Sequence, residues 1–218
     1  MTEFIDISPL ICPEVAVWPG DTAFRRDVAL DMESGDNLTL SSITTTVHIG
    51  AHCDAPNHYA KGGASIAERD LEPYYGPCQV ISVEIGRGER ILPEHIQVSI
   101  QAPRILLKTL TFPDPNHFNE DFASLSPELV NSLFDQGVQL VGLDTPSVDL
   151  CNDKALLSHN AIAKCDMSIL EGVVLSDVED GIYTLIALPL KLDKADASPV
   201  RAVLVPHTSV TNRYCFYK

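Results

Sequence analysis

The sequence has no C-x-x-C pair, and its six cysteines (Cys12, Cys53, Cys78, Cys151, Cys165 and Cys215) are too dispersed for a disulfide framework. In a reducing cytosol they are expected as free thiols. No apolar run approaches the roughly 20 residues needed to span a bilayer, which argues against a membrane partner. Lys and Arg together number 15 against 30 Asp and Glu, a formal net charge of -15, and no basic cluster is present. Nucleic-acid binding, which needs clustered cations against phosphates, is therefore excluded as an expectation. The G-x-G-x-x-G and Walker patterns are missing as well, so there is no phosphate-cradling loop. The start, M-T-E-F-I-D-I-S-P, lacks a basic region followed by an apolar core, so no signal peptide is expected and the protein reads as cytoplasmic. Repeats, low-complexity segments and linkers are lacking too. At 218 residues, 45 % apolar and 21 % charged, the chain suits a single domain over 1–218.

What is present concentrates in Val47 to His58, V-H-I-G-A-H-C-D-A-P-N-H. In an extended strand, side chains alternate between faces with a period of two. The spacing puts His48, His52 and Asp54 in one row, with Val47, Ile49, Ala51, Cys53 and Ala55 on the apolar face. The same register extends back to about Leu38, so one strand is expected to deliver the polar row to a cleft. Pro56 cannot continue a ladder, and the chain should turn there and swing His58 over the end of the row. Three imidazoles and a carboxylate at this spacing point to metal ligation, with one His spare for proton transfer. Cys53 falls on the apolar side and is expected to pack.

Elsewhere the pattern predicts a first strand over 3–7, strands over 78–85, 104–108, 138–143, 168–175, 182–188 and 200–205, and a surface loop over 111–124. Short helices are expected at Ser65–Glu68, from its capping box, and around 93–96. A longer helix starts at Ser126-Pro127 with a stripe of Leu129, Val130, Leu133 and Phe134, and ends at Gly137. Residues 154–164 form a further helix, with Leu156, Leu157, Ile162 and Ala163 as core positions and His159 among them. Trp18, the single tryptophan, lies on a Pro-Gly-Asp turn and either caps a core edge or holds a planar ligand. Asp144, at a strand end, is either a turn cap or a supporting group. Glu171 interrupts an otherwise apolar strand, which is costly unless the carboxylate is paired or metal-bound. Arg213, Tyr214 and Phe216 near the C-terminus form an interface strand or mere trim.

The stretch H-x-G-x-H-x-D-x-P-x-H resembles the signature of the metal-dependent cyclase-like hydrolases. The segments D-I-S-P, W-P-G-D-T, L-V-G-L-D-T-P-S-V-D, I-L-E-G-V-V-L and L-P-L-K-L-D-K-A-D-A-S-P-V-R-A-V-L look like its bacterial kynurenine formamidase (arylformamidase) branch. The resemblance covers roughly residues 4 to 205. It implies an α/β domain of swivelling β/β/α arrangement, usually a homodimer or tetramer, with a two-zinc site. Carried over, His48, His52 and Asp54 hold one metal and His159 the second, with Asp54 and Glu171 bridging. His58 becomes the proton donor and acceptor, and Trp18 touches the substrate's aromatic ring. Ile49 and Ala51 stand where Thr is frequent in the family, and Asn160 where a second His is often found; no ligand is lost.

Mixed His and carboxylate ligation suits Zn²⁺, with Mn²⁺ the next choice as oxygen ligands increase. Two metals about 3.5–4 Å apart can bring a shared water's pKa toward ~7. The implied activity is hydrolysis of N-formyl-L-kynurenine to L-kynurenine and formate in tryptophan breakdown. The alternatives are opening of a cyclic amide such as isatin on the same site, or a metal-binding interaction protein without catalysis.

Overall fold

The structure, a computed structural model, describes residues 4–206. In chain order the strands are β1 (Ile5–Asp6), β2 (Arg25–Leu30), β3 (Leu40–Thr44), β4 (His52–Asp54), β5 (Tyr75–Ser82), β6 (Arg90–Ile91), β7 (Arg104–Lys108), β8 (Ser124–Leu125), β9 (Leu140–Leu143), β10 (Ser168–Leu170), β11 (Gly181–Ile186), β12 (Ala197–Pro199) and β13 (Val203–Pro206). The helices are α1 (Pro56–Tyr59), α2 (Pro127–Asp135) and α3 (Leu157–Cys165). Seven strands form one sheet in the order β1-β13-β11-β5-β7-β9-β10. The run β5-β7-β9-β10 is parallel, while β11, β13 and β1 add antiparallel pairs at one side.

The parallel strands are apolar on both faces, as a sheet covered on both sides requires. Along β7, Leu106 joins one core with Ala51, Cys53, Leu140, Leu170 and Leu185, whereas Ile105 and Leu107 join another with Leu129, Leu133, Val141 and Ile162. The first core is closed by the small β4–β12 sheet and the second by α2 and α3. The layers are therefore β, β and α, the arrangement that the family resemblance implies. In α2, Ser126 Oγ accepts from Leu129 N–H at 3.0 Å, Pro127 occupies the first turn, and Gly137 ends the helix at φ +84°. Glu68 accepts from both the N–H and the hydroxyl of Ser65, as the capping-box spacing predicts.

Three expectations are corrected. The strand expected from Leu38 to Asp54 is broken: β3 ends at Thr44, residues 47–51 bend, and extended pairing resumes only at His52. Gly50, at φ +55°, turns the chain there, so His48 reaches the cleft from a bend and not from a strand. Phe134 and Leu157, expected in the core, are exposed, because the stripes of α2 and α3 are one residue narrower than read. The segment before β3 pairs with it as an antiparallel hairpin, β2–β3, that the pattern did not announce, since nearly every residue in it is exposed. Arg213, Tyr214 and Phe216 lie outside the described residues.

Candidate metal centre

The parallel strands β7, β9 and β10 all end at one cleft, where open α/β sheets place their ligands. Glu171 follows β10 directly and is tied to β4 by a two-way bridge: His52 N–H donates to its carbonyl at 3.1 Å, and its own N–H to the His52 carbonyl at 2.9 Å. That bridge sets the side chains of His52 and Glu171 together, with Nε2 to Oε2 at 3.1 Å. Asp54 faces His48 Nδ1 at 3.0 Å, His52 Nε2 at 3.5 Å and His159 Nε2 at 3.5 Å. His58, on the single turn of α1, brings its ring to 4.2 Å from that of His48 and 5.9 Å from that of His159. Six of the seven residues to which the resemblance gives a role thus surround one point.

The decisive feature is which atoms lack partners. His52 Nε2, His159 Nε2 and both carboxylate oxygens of Asp54 are buried, and none has a hydrogen bond. Leaving buried polar atoms unmatched is expensive, and four at one point fit a site built to hold a cation. Meanwhile the far nitrogen of each imidazole is held. His52 Nδ1 donates to the Gly50 carbonyl at 2.9 Å, His159 Nδ1 to Asp149 at 2.9 Å, and His48 Nε2 to Asp196 at 3.0 Å. Once each ring is neutral, such outer partners fix its tautomer and leave the inward nitrogen as a lone-pair donor. The donor sets His52–Asp54–Glu171 and His48–Asp54–His58 each gather within a span that suits one ion.

Electrostatics agree. Burial alone would push Asp54 up, but the imidazoles of His159 and His48 outweigh it and hold the carboxyl well below its usual range. Burial works against a charged His48, yet Asp54 and Asp196 raise it to about 9. His159, opposed by burial but flanked by Asp149 and Asp54, is raised to about 10. Asp149 is lowered despite burial, by His159 and by the N–H groups of His159 and Ser158. It also pairs with Arg90, which bridges to Asp153. Burial pushes the Cys53 thiol well above its ordinary value, and its Sγ faces the Ala187 carbonyl in the core.

Asp149 and Asp196 are the site residues the sequence reading missed; both sit inside the D-T-P-S-V-D and K-A-D-A-S-P segments, where a lone Asp looks like a turn residue. Asp144 accepts from Thr109 N–H and Oγ–H and from Leu110 N–H, and lines the cleft without touching the imidazoles. The cleft holds about 520 Å³, and no Lys or Arg is among its lining residues. Arg201 pairs with Asp6 away from it. Trp18 stands at the cleft wall, edge-on to Phe118 at 5.4 Å, on a turn closed by Asp21 N–H to the Trp18 carbonyl at 2.9 Å.

The Cyclase family model matches residues 5–150. A kynurenine formamidase from Bordetella pertussis is 45 % identical over 207 residues, covering 94 % of this chain and 98 % of that protein. The chain belongs to the Cyclase family, on its kynurenine formamidase branch. A solved structure described as a potential metal-dependent hydrolase with cyclase activity matches with TM-score 0.81 at 26 % identity, covering 94 % of this chain and 98 % of the other. Isatin hydrolase A from Labrenzia aggregata matches with TM-score 0.79 at 21 % identity, covering 93 % of each chain, and shares the fold. Membership makes this chain a metal-dependent hydrolase of small molecules. Among the described residues no helix is long and apolar enough to cross a membrane.

Proposed function

We propose that this enzyme hydrolyses N-formyl-L-kynurenine to L-kynurenine and formate, a step of tryptophan breakdown. The observation that carries this reading is the set of unpartnered buried donors at the floor of an apolar cleft walled by Trp18. In this reading His48, His52 and Asp54 hold one Zn²⁺ and His159 the other, with Asp54 and Glu171 shared; Mn²⁺ is the second choice of ion. The bound metals supply Lewis acidity and make a water acidic near neutral pH. His58, half exposed beside the ligands with Nδ1 3.5 Å from Asp196, takes a proton from the attacking water. It returns that proton to the aniline nitrogen as the formyl C–N bond breaks and the new C–O bond remains in formate. An aniline leaves poorly as an anion, so this transfer is required. Trp18 and Phe118 flank the ring and keep bulk water from it.

The test is formate release from N-formyl-L-kynurenine by metal-stripped protein titrated with Zn²⁺. Activity should rise and saturate near two ions per chain; binding at that ratio without formate would retain the site and discard the substrate, in favour of isatin-like rings. His48 and His159 are protonated below about 9 and 10 in the metal-free protein, and ligation needs them neutral. Zn²⁺ affinity should therefore climb with pH from 6 upward and level off only near those values; calorimetry in buffers of different ionisation enthalpy reads the protons released. His58→Ala should keep its metal content while kcat falls by about 10²–10⁴-fold. Retained turnover in that variant would remove His58 from the mechanism.

The protein is assigned to the cytoplasm, as the free thiols of its described cysteines suit a reducing compartment. Residues 1–218 are taken as one domain with no nucleic-acid partner, in keeping with the acidic surface. A homodimer, or a tetramer built from it, is the assembly proposed. Its support is the β2–β3 hairpin, which exposes Val28, Leu40 and Ile43, and a two-stranded hairpin is marginal in water without cover. Sedimentation should find dimers that Ile43→Lys dissociates.

A further inference from the structure

Among the described residues only four other than glycine adopt positive φ: Leu110 (+56°), Leu156 (+50°), Asp166 (+49°) and Lys194 (+58°). Two of them are leucines, and both line the catalytic cleft. The left-handed region is disfavoured for a side chain branched and bulky like leucine's, and it persists only where surrounding contacts over-determine it. Leu110 is clamped from outside, and Leu156 is held at the entry to α3, where its carbonyl accepts from Asn160 N–H at 2.9 Å. Leu110 N–H donates to Asp144 at 2.8 Å, and Asp144 also takes the Thr109 N–H and hydroxyl, which pins the turn after β7. Leu156 immediately precedes α3, whose first N–H groups are caught by Asp153 (from Leu157) and Asp149 (from Ser158 and His159).

Core packing does not explain the strain at Leu110. Leu110 is 53 % exposed, so its side chain contributes little to the interior while its backbone is strained. A glycine or asparagine would occupy either position at less cost.

We infer that Leu110 and Leu156 are specificity-determining residues, held in strained backbone to wall the cleft against the aromatic ring of the substrate. This rests on the formamidase reading above. The two leucines would contribute apolar contact to the bound ring in both substrate and product, so they act on binding more than on the chemical step. They lie on turns that also carry site groups: Leu156 is three residues before His159, and Leu110 follows the Thr109 that Asp144 holds. The strained turns therefore lie at the cleft wall, beside groups of the site.

The experiment compares wild type with Leu110→Asn, Leu110→Gly and Leu156→Asn, all zinc-loaded, for kinetics on N-formyl-L-kynurenine, inhibition by L-kynurenine and melting temperature. Asparagine tolerates the left-handed region, which keeps folding intact. In Leu110→Asn and Leu156→Asn, KM and the kynurenine inhibition constant should each rise roughly tenfold, the scale of a lost leucine contact. The melting temperature should stay within about 2 °C of wild type or exceed it, because strain is relieved as contact is lost. Leu157→Asn, adjacent in sequence but outside the cleft, should leave KM within twofold. KM and inhibition constants unchanged in an active background would overturn the inference. So would a clear fall in melting temperature in all three cleft variants, which would make the leucines ordinary structural residues. If wild type releases no formate, the formamidase reading fails by itself; calorimetric binding of L-kynurenine to the same variants then decides the role of the leucines.

Discussion

Asp54→Asn is expected to leave a folded protein that binds little metal and has almost no activity. The substitution keeps the shape of the side chain and removes the one charge that three imidazoles face at 3.0–3.5 Å. In the native protein that charge is held well below its usual pKa, so it is present at every pH at which the enzyme could work. An amide offers one neutral oxygen in place of two anionic ones and directs an NH₂ toward a cation. Even removal of an outer partner of a metal ligand costs about 10–100-fold, and in the proposed centre Asp54 is itself a ligand. A loss of kcat/KM well beyond 100-fold is therefore expected, together with a drop in bound Zn²⁺ by elemental analysis. Full metal content with intact activity in Asp54→Asn would remove Asp54 from the centre.

Gly172→Ala should damage the same centre without touching a ligand. A Cβ on Gly172 would lie 2.2 Å from the Gly50 carbonyl oxygen and 2.9 Å from its carbon, and Gly172 sits at φ +66°. Both neighbours are backbone and neither can rotate aside. One side of this contact carries Glu171 and the other the bend between His48 and His52, so the methyl group would wedge the two halves of the donor set apart. Overpacking and the left-handed backbone together should cost about 2–4 kcal/mol, which for a chain of this size lowers Tm by roughly 5–15 °C. Zinc affinity should fall with it, because the His52–Glu171 bridge is the joint being opened. Calorimetry and zinc titration check both; an unchanged Tm with native affinity would mean that the two loops can slide past each other.

The site residues were legible because their chemistry is costly elsewhere. Glu171 stood out as a carboxylate in the middle of an apolar run expected as one strand over 168–175, although β10 ends at Leu170, and the His48–His58 stretch as four polar groups spaced by small residues. A period of two explains only part of that spacing. Period-two alternation holds for His52 and Asp54 in β4, but His48 arrives through the Gly50 bend and His58 through α1. Asp149 and Asp196 escaped notice because an isolated Asp in a loop reads the same whether it caps a turn or orients a ligand. The sheet's parallel strands were readable from their continuous apolar runs, as in Arg104–Lys108. The β2–β3 hairpin was not, because exposed on both faces it carries no alternation. Nothing in the residue types at Leu110 and Leu156 signals a left-handed backbone; at Leu110 it accompanies a long-range hydrogen bond to Asp144, and at Leu156 the entry to an α3 whose next N–H groups Asp149 and Asp153 accept.

Cys53 lies between His52 and Asp54 in sequence, yet its sulfur is turned into the core toward the Ala187 carbonyl. The centre is thereby denied a soft thiolate and left with nitrogen and oxygen donors alone. Such a set does not separate first-row divalent ions by ligand softness, and affinity alone would rank them by the Irving–Williams order. Which ion occupies the enzyme is then decided by what the cell supplies, and a preparation's activity will carry the imprint of its growth medium. The same turn of one side chain keeps the Cys53 sulfur out of the cleft, where an oxidant would otherwise meet it beside His52 and Asp54.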